Sequence, residues 1–243
     1  MSTNWKRALY RLISYLTGNG FKRGNADTTL FIQKDKNHFV VAQVYVDDIV
    51  FGSTNDFLAK SFANEMKMFE MSMVGELTYF LGPQIKQTDI WIYINQAKYA
   101  RNLVKRFGLE KAAHARTPMA TNDPSSQSVD VTIYRSMIGS LLCLTASRLD
   151  IAFSVGVCAR FQSNPKESHF NAVKRIFKYV SGTCDFGLFY SKESNVSLVG
   201  YFVANWASNA NDRKNTIGGC FYEGTNLVVW MSKKQNSVFL STT

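Results

Sequence analysis

Two adjacent carboxylates, Asp47 and Asp48, sit inside VVAQVYVDDIVFG, residues 40 to 52, a run otherwise apolar except for Gln43. Burying a carboxylate is costly unless it is paired or binds a metal. The residues alone leave two readings. One is a tight hairpin turn between VYV and IVFG whose tip reaches solvent, since aspartate is a common turn former. The other is a divalent-cation site. The run lacks the glycine or asparagine that a two-residue hairpin prefers, and neighbouring carboxylates repel unless something offsets them. Mg²⁺ takes oxygen ligands, typically one or two carboxylates plus phosphate oxygens and water. Two such ions about 4 Å apart clamp the attacking and leaving oxygens in nucleotidyl transfer.

Other chemistries find less support. The cysteines at 143, 158, 184 and 220 form no CxxC pair, and His38, His114 and His169 bear no spacing relation to them. A zinc site is therefore not expected, and the thiols read as reduced, in a cytosolic or nuclear compartment. The 28 basic residues exceed the 18 acidic ones, a net charge of +10 that attracts polyanions. The longest uncharged apolar stretch, SMIGSLLCLTAS, has 12 residues. About 20 are needed to span a bilayer, so no membrane partner is expected. Arg7 and Arg11 interrupt the N-terminal apolar pattern, unlike a secretory signal.

The elements that must position the acids follow from periodicity. The 243 residues, 46% hydrophobic, suit one large or two small domains of mixed α and β structure. Residues 5 to 17 carry Ala8, Leu9, Leu12 and Leu16 at helical spacing. TTLFIQ, KDKN and FVVAQVYV predict a hairpin, and DIVFGST a further strand. Residues 55 to 69 predict a helix with Asn55 as cap and Phe57, Leu58, Phe62, Met66 and Phe69 on its apolar side. ELTYFLGPQIKQ and IWIYINQ read as strands, the first at an edge or bulged because of Pro83. Residues 96 to 107 form the clearest amphipathic helix. Ala100, Leu103, Val104 and Phe107 lie on one side; Lys98, Arg101 and Lys105 lie on the other. That basic stripe is either a solvated face or a track for a phosphate backbone. Residues 116 to 130 form a polar linker, and 131 to 163 read as helices. A further helix is capped by Asn164, with Pro165 first and Glu167 three residues after the cap. It displays Lys174, Arg175 and Lys178. Tyr99, Phe107 and Tyr179 read as core. SLVGYFVA, TIGGCFYEG and NLVVWMS close the chain as three strands.

YVDD at 45 to 48, within VAQVYVDDIVFGST, resembles the catalytic turn of reverse transcriptases, above all those of plant copia-type LTR retrotransposons. Further stretches resemble the same Pol polyprotein in the same order: GFKRGNADTTLF (20–31), FEMSMVGELTYFLGPQIKQ (69–87), YRSMIGSLLCLTASRLDIAFSVGVCARFQSNPKESHFNAVKRIFKYVSGT (134–183) and DRKNTIGGCFYEGTNLVVWMSKKQNSVFLST (212–242). The likeness implies an α+β fold. A distal reverse-transcriptase palm (1–95) would precede a thumb-like helix and linker (96–120), a helical connection (121–190) and truncated ribonuclease H-like strands (191–243). It implies two Mg²⁺ ions, with Asp47 and Asp48 as catalytic metal ligands. Tyr45 and Val46 would lie near the primer terminus and nucleotide. Phe80, Leu81, Gly82 and Gln84 would hold the primer, and Lys98, Arg101 and Lys105 the nucleic-acid backbone. The implied partners are an RNA–DNA hybrid or template–primer and other Pol segments. The implied location is cytoplasm or nucleus, in a virus-like particle for an intact element.

The resemblance also exposes gaps. Two-metal chemistry needs a further carboxylate from a neighbouring strand, yet only Asp27 and Asp35 precede Asp47. Asp35 sits among lysines, and Asp27 matches another part of the family pattern. The chain is thus expected to begin after the fingers and first half of the palm. In YFVANW, Val203 stands where a ribonuclease H aspartate is expected and Asn205 replaces the second acid. The expectation is a reverse-transcriptase segment inactive by itself in both reactions. The alternatives are a non-catalytic nucleic-acid-binding remnant or a decayed product without function. Palm strands lacking neighbours would leave open sheet edges and a tendency to aggregate.

Overall fold

The computed structural model describes residues 4–35, 37–46, 48–118, 127–193, 195, 197–203 and 216–234. The chain divides into two compact units, Met1–Leu77 and Thr78–Thr243. Among the described residues they hold six α-helices and ten strands in three antiparallel sheets.

The first unit runs α1 (Asn4–Gly18), β1 (Lys22–Arg23), β2 (Leu30–Asp35), β3 (His38–Tyr45), β4 (Asp48–Ser53) and α2 (Asp56–Met66), with a 3-10 turn at Lys67–Phe69. Its strands pair in the order β1-β2-β3-β4. Alternation along β3 buries Val40, Ala42 and Val44 and leaves the residues between them on the opposite face. The buried face joins Leu12 and Leu16 of α1 and Phe62 and Met66 of α2 in one core. Phe62 lies 4.9 Å from Phe51 and 5.6 Å from Phe21, ring centroid to centroid. Each such side chain contributes about 1.5–3 kcal/mol relative to leaving it exposed. Asn55 caps α2 as expected, its side chain accepting the Phe57 N–H at 2.8 Å. Phe57, however, is 75% exposed. Five residues before Phe62, it stands about 140° around the helix from the buried stripe.

The second unit runs β5 (Gln84–Gln87), β6 (Trp91–Asn95), α3 (Ala97–Arg106), α4 (Val131–Leu144), α5 (Leu149–Ala159), α6 (Glu167–Gly182), β7 (Gly187–Ser191), β8 (Leu198–Val203), β9 (Thr216–Glu223) and β10 (Asn226–Lys234). α3 to α6 bury one core, with Leu103, Tyr134, Ile138, Ile151, Val155, Ile176 and Phe177 at its centre. The Tyr134 hydroxyl stays satisfied there by donating to the Cys158 carbonyl at 2.7 Å. Two small sheets flank the helices, in the orders β5-β6-β7 and β10-β9-β8. Asn226 of β10 ties them together: its side chain accepts the Ser191 N–H and donates to the Ser191 carbonyl, both at 2.8 Å.

Three expectations need correction. ELTYFLG is not a strand. Leu81 at φ 52° and Gly82 at φ 111° reverse the chain, so Tyr79 makes only a bridge to Gln84, and β5 starts directly after Pro83 as an edge strand. The helix expected from Pro165 begins at Glu167. Residues 127 to 129 run against 165 to 167, with Glu167 N–H donating to the Gln127 carbonyl at 2.8 Å, and this keeps Pro165 extended. The N-terminal bond is then made by His169, whose Nδ1 accepts the Lys166 N–H at 3.0 Å. Finally, FGLFYS supplies an unexpected strand, β7. A Cβ at Gly187 would run into the Ile94 carbonyl, so only glycine lets β7 close on β6.

Candidate functional site

The acidic tip is built by β3 and β4. Tyr45 pairs with Asp48 where the two strands meet, and Val46 follows at the turn. Because Val44 points into the core, Gln43 and Tyr45 share the face turned away from α1 and α2, and Asp48 joins them as the cross-strand partner of Tyr45. Tyr45 and Val46 are about half exposed, at 49% and 50%. Val46 has φ 55°, the left-handed value that opens a primed hairpin turn. For a β-branched residue that conformation is strained, and such strain gathers at functional sites. Ion pairs among the described residues are Arg101–Asp185 and Arg148–Asp150, so neither lysine nor arginine pairs with Asp48 there. Asp47 lies outside the described residues. The tip is therefore the solvent-reaching hairpin of the first reading, and its geometry leaves Asp48 open to the second.

The other acids of the first unit are disposed differently. Asp27 lies at the same end of the sheet, where Val44 N–H donates to the Thr29 carbonyl at 2.9 Å. Its carboxylate accepts Gln43 Nε2–H at 2.9 Å, the Thr29 hydroxyl at 2.6 Å and the Thr29 N–H at 2.8 Å. The Gln43 bond, then those from Thr29, hold its carboxyl down at about 2. Asp27 is thus ionised but engaged on both oxygens. Its link to Gln43, the one polar residue of the apolar run before the aspartates, went unnoticed in the sequence. Period-two spacing from Tyr45 was the available signal. Asp35 pairs with His38 at the far end of the hairpin, roughly 23 Å along β3 from Tyr45. No group of three or more His, Cys, Asp and Glu side chains among the described residues could hold a metal ion. A two-ion magnesium centre does not fit the described donors, which offer Asp48 alone at the tip.

The remaining site candidates fall in the second unit. Phe80, Leu81 and Gly82 form the tight turn before β5, closed by Phe80 N–H donating to the Pro83 carbonyl at 3.0 Å. Leu81 is 53% exposed. Gln84 Oε1 accepts the Lys98 N–H at 3.1 Å and so caps α3. On α3, Lys98, Arg101 and Lys105 are all exposed, opposite the buried Ala97, Ala100, Leu103 and Val104. Arg101 pairs with Asp185. The cations of α6 are engaged locally: Lys174 lies 4.4 Å from the Phe170 ring centroid, and Arg175 binds the Thr117 hydroxyl at 2.9 Å. Tyr99, Phe107 and Tyr179 pack against the helical core. Val203 closes β8 opposite Gly218, and Asn205 lies outside the described residues. No described helix is long and apolar enough to cross a membrane.

Known proteins resemble this sequence. A family model described as reverse transcriptase (RNA-dependent DNA polymerase) matches residues 2–121. The retrovirus-related Pol polyprotein from transposon RE1 of Arabidopsis thaliana is 35% identical over 244 residues, covering 98% of this chain and 17% of that protein. The Pol polyprotein from transposon TNT 1-94 of Nicotiana tabacum is 30% identical over 246 residues, 95% of this chain and 18% of its own length. An uncharacterized mitochondrial protein of Arabidopsis thaliana is 32% identical over 205 residues, 82% of this chain and 85% of that protein. This chain thus spans about a sixth of the Pol polyproteins it matches. No solved structure matches it. With its ordered sequence likeness and its hairpin-borne YVDD, the chain belongs to the reverse-transcriptase family of copia-type retrotransposon Pol polyproteins.

Proposed function

We propose that this chain is a segment of an RNA-directed DNA polymerase that holds a template–primer and does not extend it unaided. One observation carries the reading: the acids preceding the YVDD turn are unsuited to complete a metal site. Asp27 is already engaged on both oxygens by Gln43 and Thr29, and Asp35 stands at the opposite end of β3. In the family, Asp47 and Asp48 would hold magnesium that neutralises the developing charge on phosphate. Losing one ligand carboxylate removes most of that stabilisation. Another segment of a Pol polyprotein would have to bring the missing carboxylate beside Asp48. Ribonuclease H chemistry is likewise not proposed, since valine at 203 offers no oxygen to a metal.

Binding is assigned to α3, whose Lys98, Arg101 and Lys105 present one basic stripe. Replacing all three with glutamine should weaken affinity for an RNA–DNA hybrid and lower its salt slope by about two to three. Unchanged hybrid binding would reject the assignment. Template-directed primer extension by the purified chain should be undetectable. Extension that disappears in Asp47→Ala would overturn the inactive reading.

A further inference from the structure

The sheet β5-β6-β7 has an inward face with Ile94 and the buried Leu188, paired with each other in register. Its other face carries a row of aromatic rings. Trp91 and Phe189 lie with centroids 5.8 Å apart and planes tilted by 33°, and Tyr93 pairs directly with Phe189. Phe189 is 55% exposed, and Trp91 and Tyr93 are half-buried. Lys86 pairs with Tyr93 and holds its ammonium 5.5 Å from the Trp91 ring centroid. At the other end of the row the Tyr93 hydroxyl donates to the Asp185 carbonyl, whose side chain pairs with Arg101. Single exposed apolar residues need no explanation, but three contiguous rings on one sheet face mark a surface with a use.

We infer that this face is a platform on which unpaired bases of a single-stranded nucleic acid stack, with Trp91, Tyr93 and Phe189 as the stacking rings and Lys86 reaching the phosphate. The inference rests on the nucleic-acid reading above and names a second surface for it. Flat side chains across neighbouring strands accept bases in sequence-tolerant fashion, because every base has a π-face. Bases inside a duplex are already stacked and cannot use it. Lys86 is the cation already drawn to the Trp91 ring. Charges of both signs adjoin these strands in sequence, Asp89 before β6 and Lys192 and Glu193 after β7, and Arg101 is already paired with Asp185. Stacking therefore outweighs phosphate attraction, and the salt slope for a single strand should be shallower than that of the α3 stripe for a hybrid.

The test uses the full chain with two probes, an unstructured labelled oligouridine or oligothymidine and an RNA–DNA hybrid. Trp91→Ala and Phe189→Ala should each weaken single-strand binding about tenfold and leave hybrid binding unchanged, while Trp91→Phe retains most of the affinity. The RNA and DNA strands should behave alike, since stacking does not read the sugar. Because an alanine variant could unfold, the wild-type chain is also photo-crosslinked to a 4-thiouridine oligonucleotide, with adducts expected at Trp91, Tyr93 or Phe189. Folded alanine variants that bind single strands normally, or adducts mapped elsewhere, would overturn the platform. Single-strand binding lost in the α3 glutamine variant and kept in both alanine variants would also overturn it, assigning all binding to α3. If the hybrid binds and the single strand does not, the platform fails alone; if neither binds, the broader nucleic-acid reading fails with it.

Discussion

Val46 holds the left-handed conformation at the head of the acidic turn, φ 55°, without the glycine or asparagine that normally takes it. Asparagine tolerates that region, so Val46→Asn should stabilise the first unit by about 1 kcal/mol, read as a higher urea midpoint. An unchanged midpoint would mean that the turn carries no strain. A second residue sets a pH dependence. His169 Nδ1 accepts the Lys166 N–H while its ring stacks on Phe161 at 3.7 Å between centroids. Burial, and then the charge of Lys166, push its imidazole below the usual 6.5. The unfolded chain therefore binds a proton before the folded chain does as pH falls. Stability from this residue is complete above about 6.5 and is lost as pH drops through the lower folded value. His169→Gln keeps an acceptor at the same helix position without a titrating ring. Its melting temperature should lie somewhat below that of the wild type at pH 8, for want of the ring stacked on Phe161, and fall less between pH 7 and 5. Parallel curves would exclude His169 as the cause. Neither residue was legible beforehand: one depends on a backbone angle, the other on a helix start displaced by two residues. The acidic tip was legible because it interrupts an apolar run.

Arg148 shows what connects the helices of the second unit. It precedes α5, its side chain is 1% exposed, and its guanidinium grips Asp150 with two bonds, at 2.8 and 2.7 Å. It also donates to the carbonyl and hydroxyl of Thr183, at 2.8 and 2.7 Å, where α6 ends. A cation at a helix C-terminus suits the macrodipole. Tyr179 completes the set by donating to Asp150 at 2.9 Å. A network so fully satisfied adds little over an apolar packing, but breaking it strands a carboxylate and two Thr183 acceptors. Arg148→Met should cost roughly 3–5 kcal/mol in urea unfolding, and Arg148→Lys should not restore it, because lysine lacks the planar fork. A loss below about 1 kcal/mol would show that the helices meet without this clamp. In sequence, Arg148 and Asp150 look like charges that merely end an apolar run. Elements with a strong period were legible: α1, the β2–β3 hairpin and α3 fall where their apolar spacing puts them. Elements decided by distant partners were not. β7 exists because β6 offers it an edge, and α6 starts late because residues 127 to 129 claim the stretch before it.

At the scale of the molecule, each unit has its own core, and β4, β5 and β8 each end a sheet. Open edges are templates for pairing with other chains, and neither β4 nor β8 carries lysine or proline to discourage it. The sheet β8-β9-β10 adds an apolar face. Gly218 and Ser232 lie against Phe153 and Gly156 of α5, which places Leu198, Phe202, Val229 and Met231 on the opposite side. Those four are 75%, 58%, 51% and 40% exposed. A net charge of +10 opposes association at low salt, and screening shortens that repulsion to about 10 Å at 0.1 M. The purified chain should therefore form soluble oligomers as salt rises, the reverse of what weakening ion pairs between chains would produce. Leu198→Lys combined with Val229→Lys interrupts the face without touching the side packed on α5. This variant should stay monomeric in size-exclusion chromatography at salt concentrations where the wild type does not. Its stability should lie within about 0.5 kcal/mol of wild type, as for surface substitutions generally. If both chains associate alike, the contact lies at an edge such as β4, and a lysine at Val50 becomes the decisive substitution.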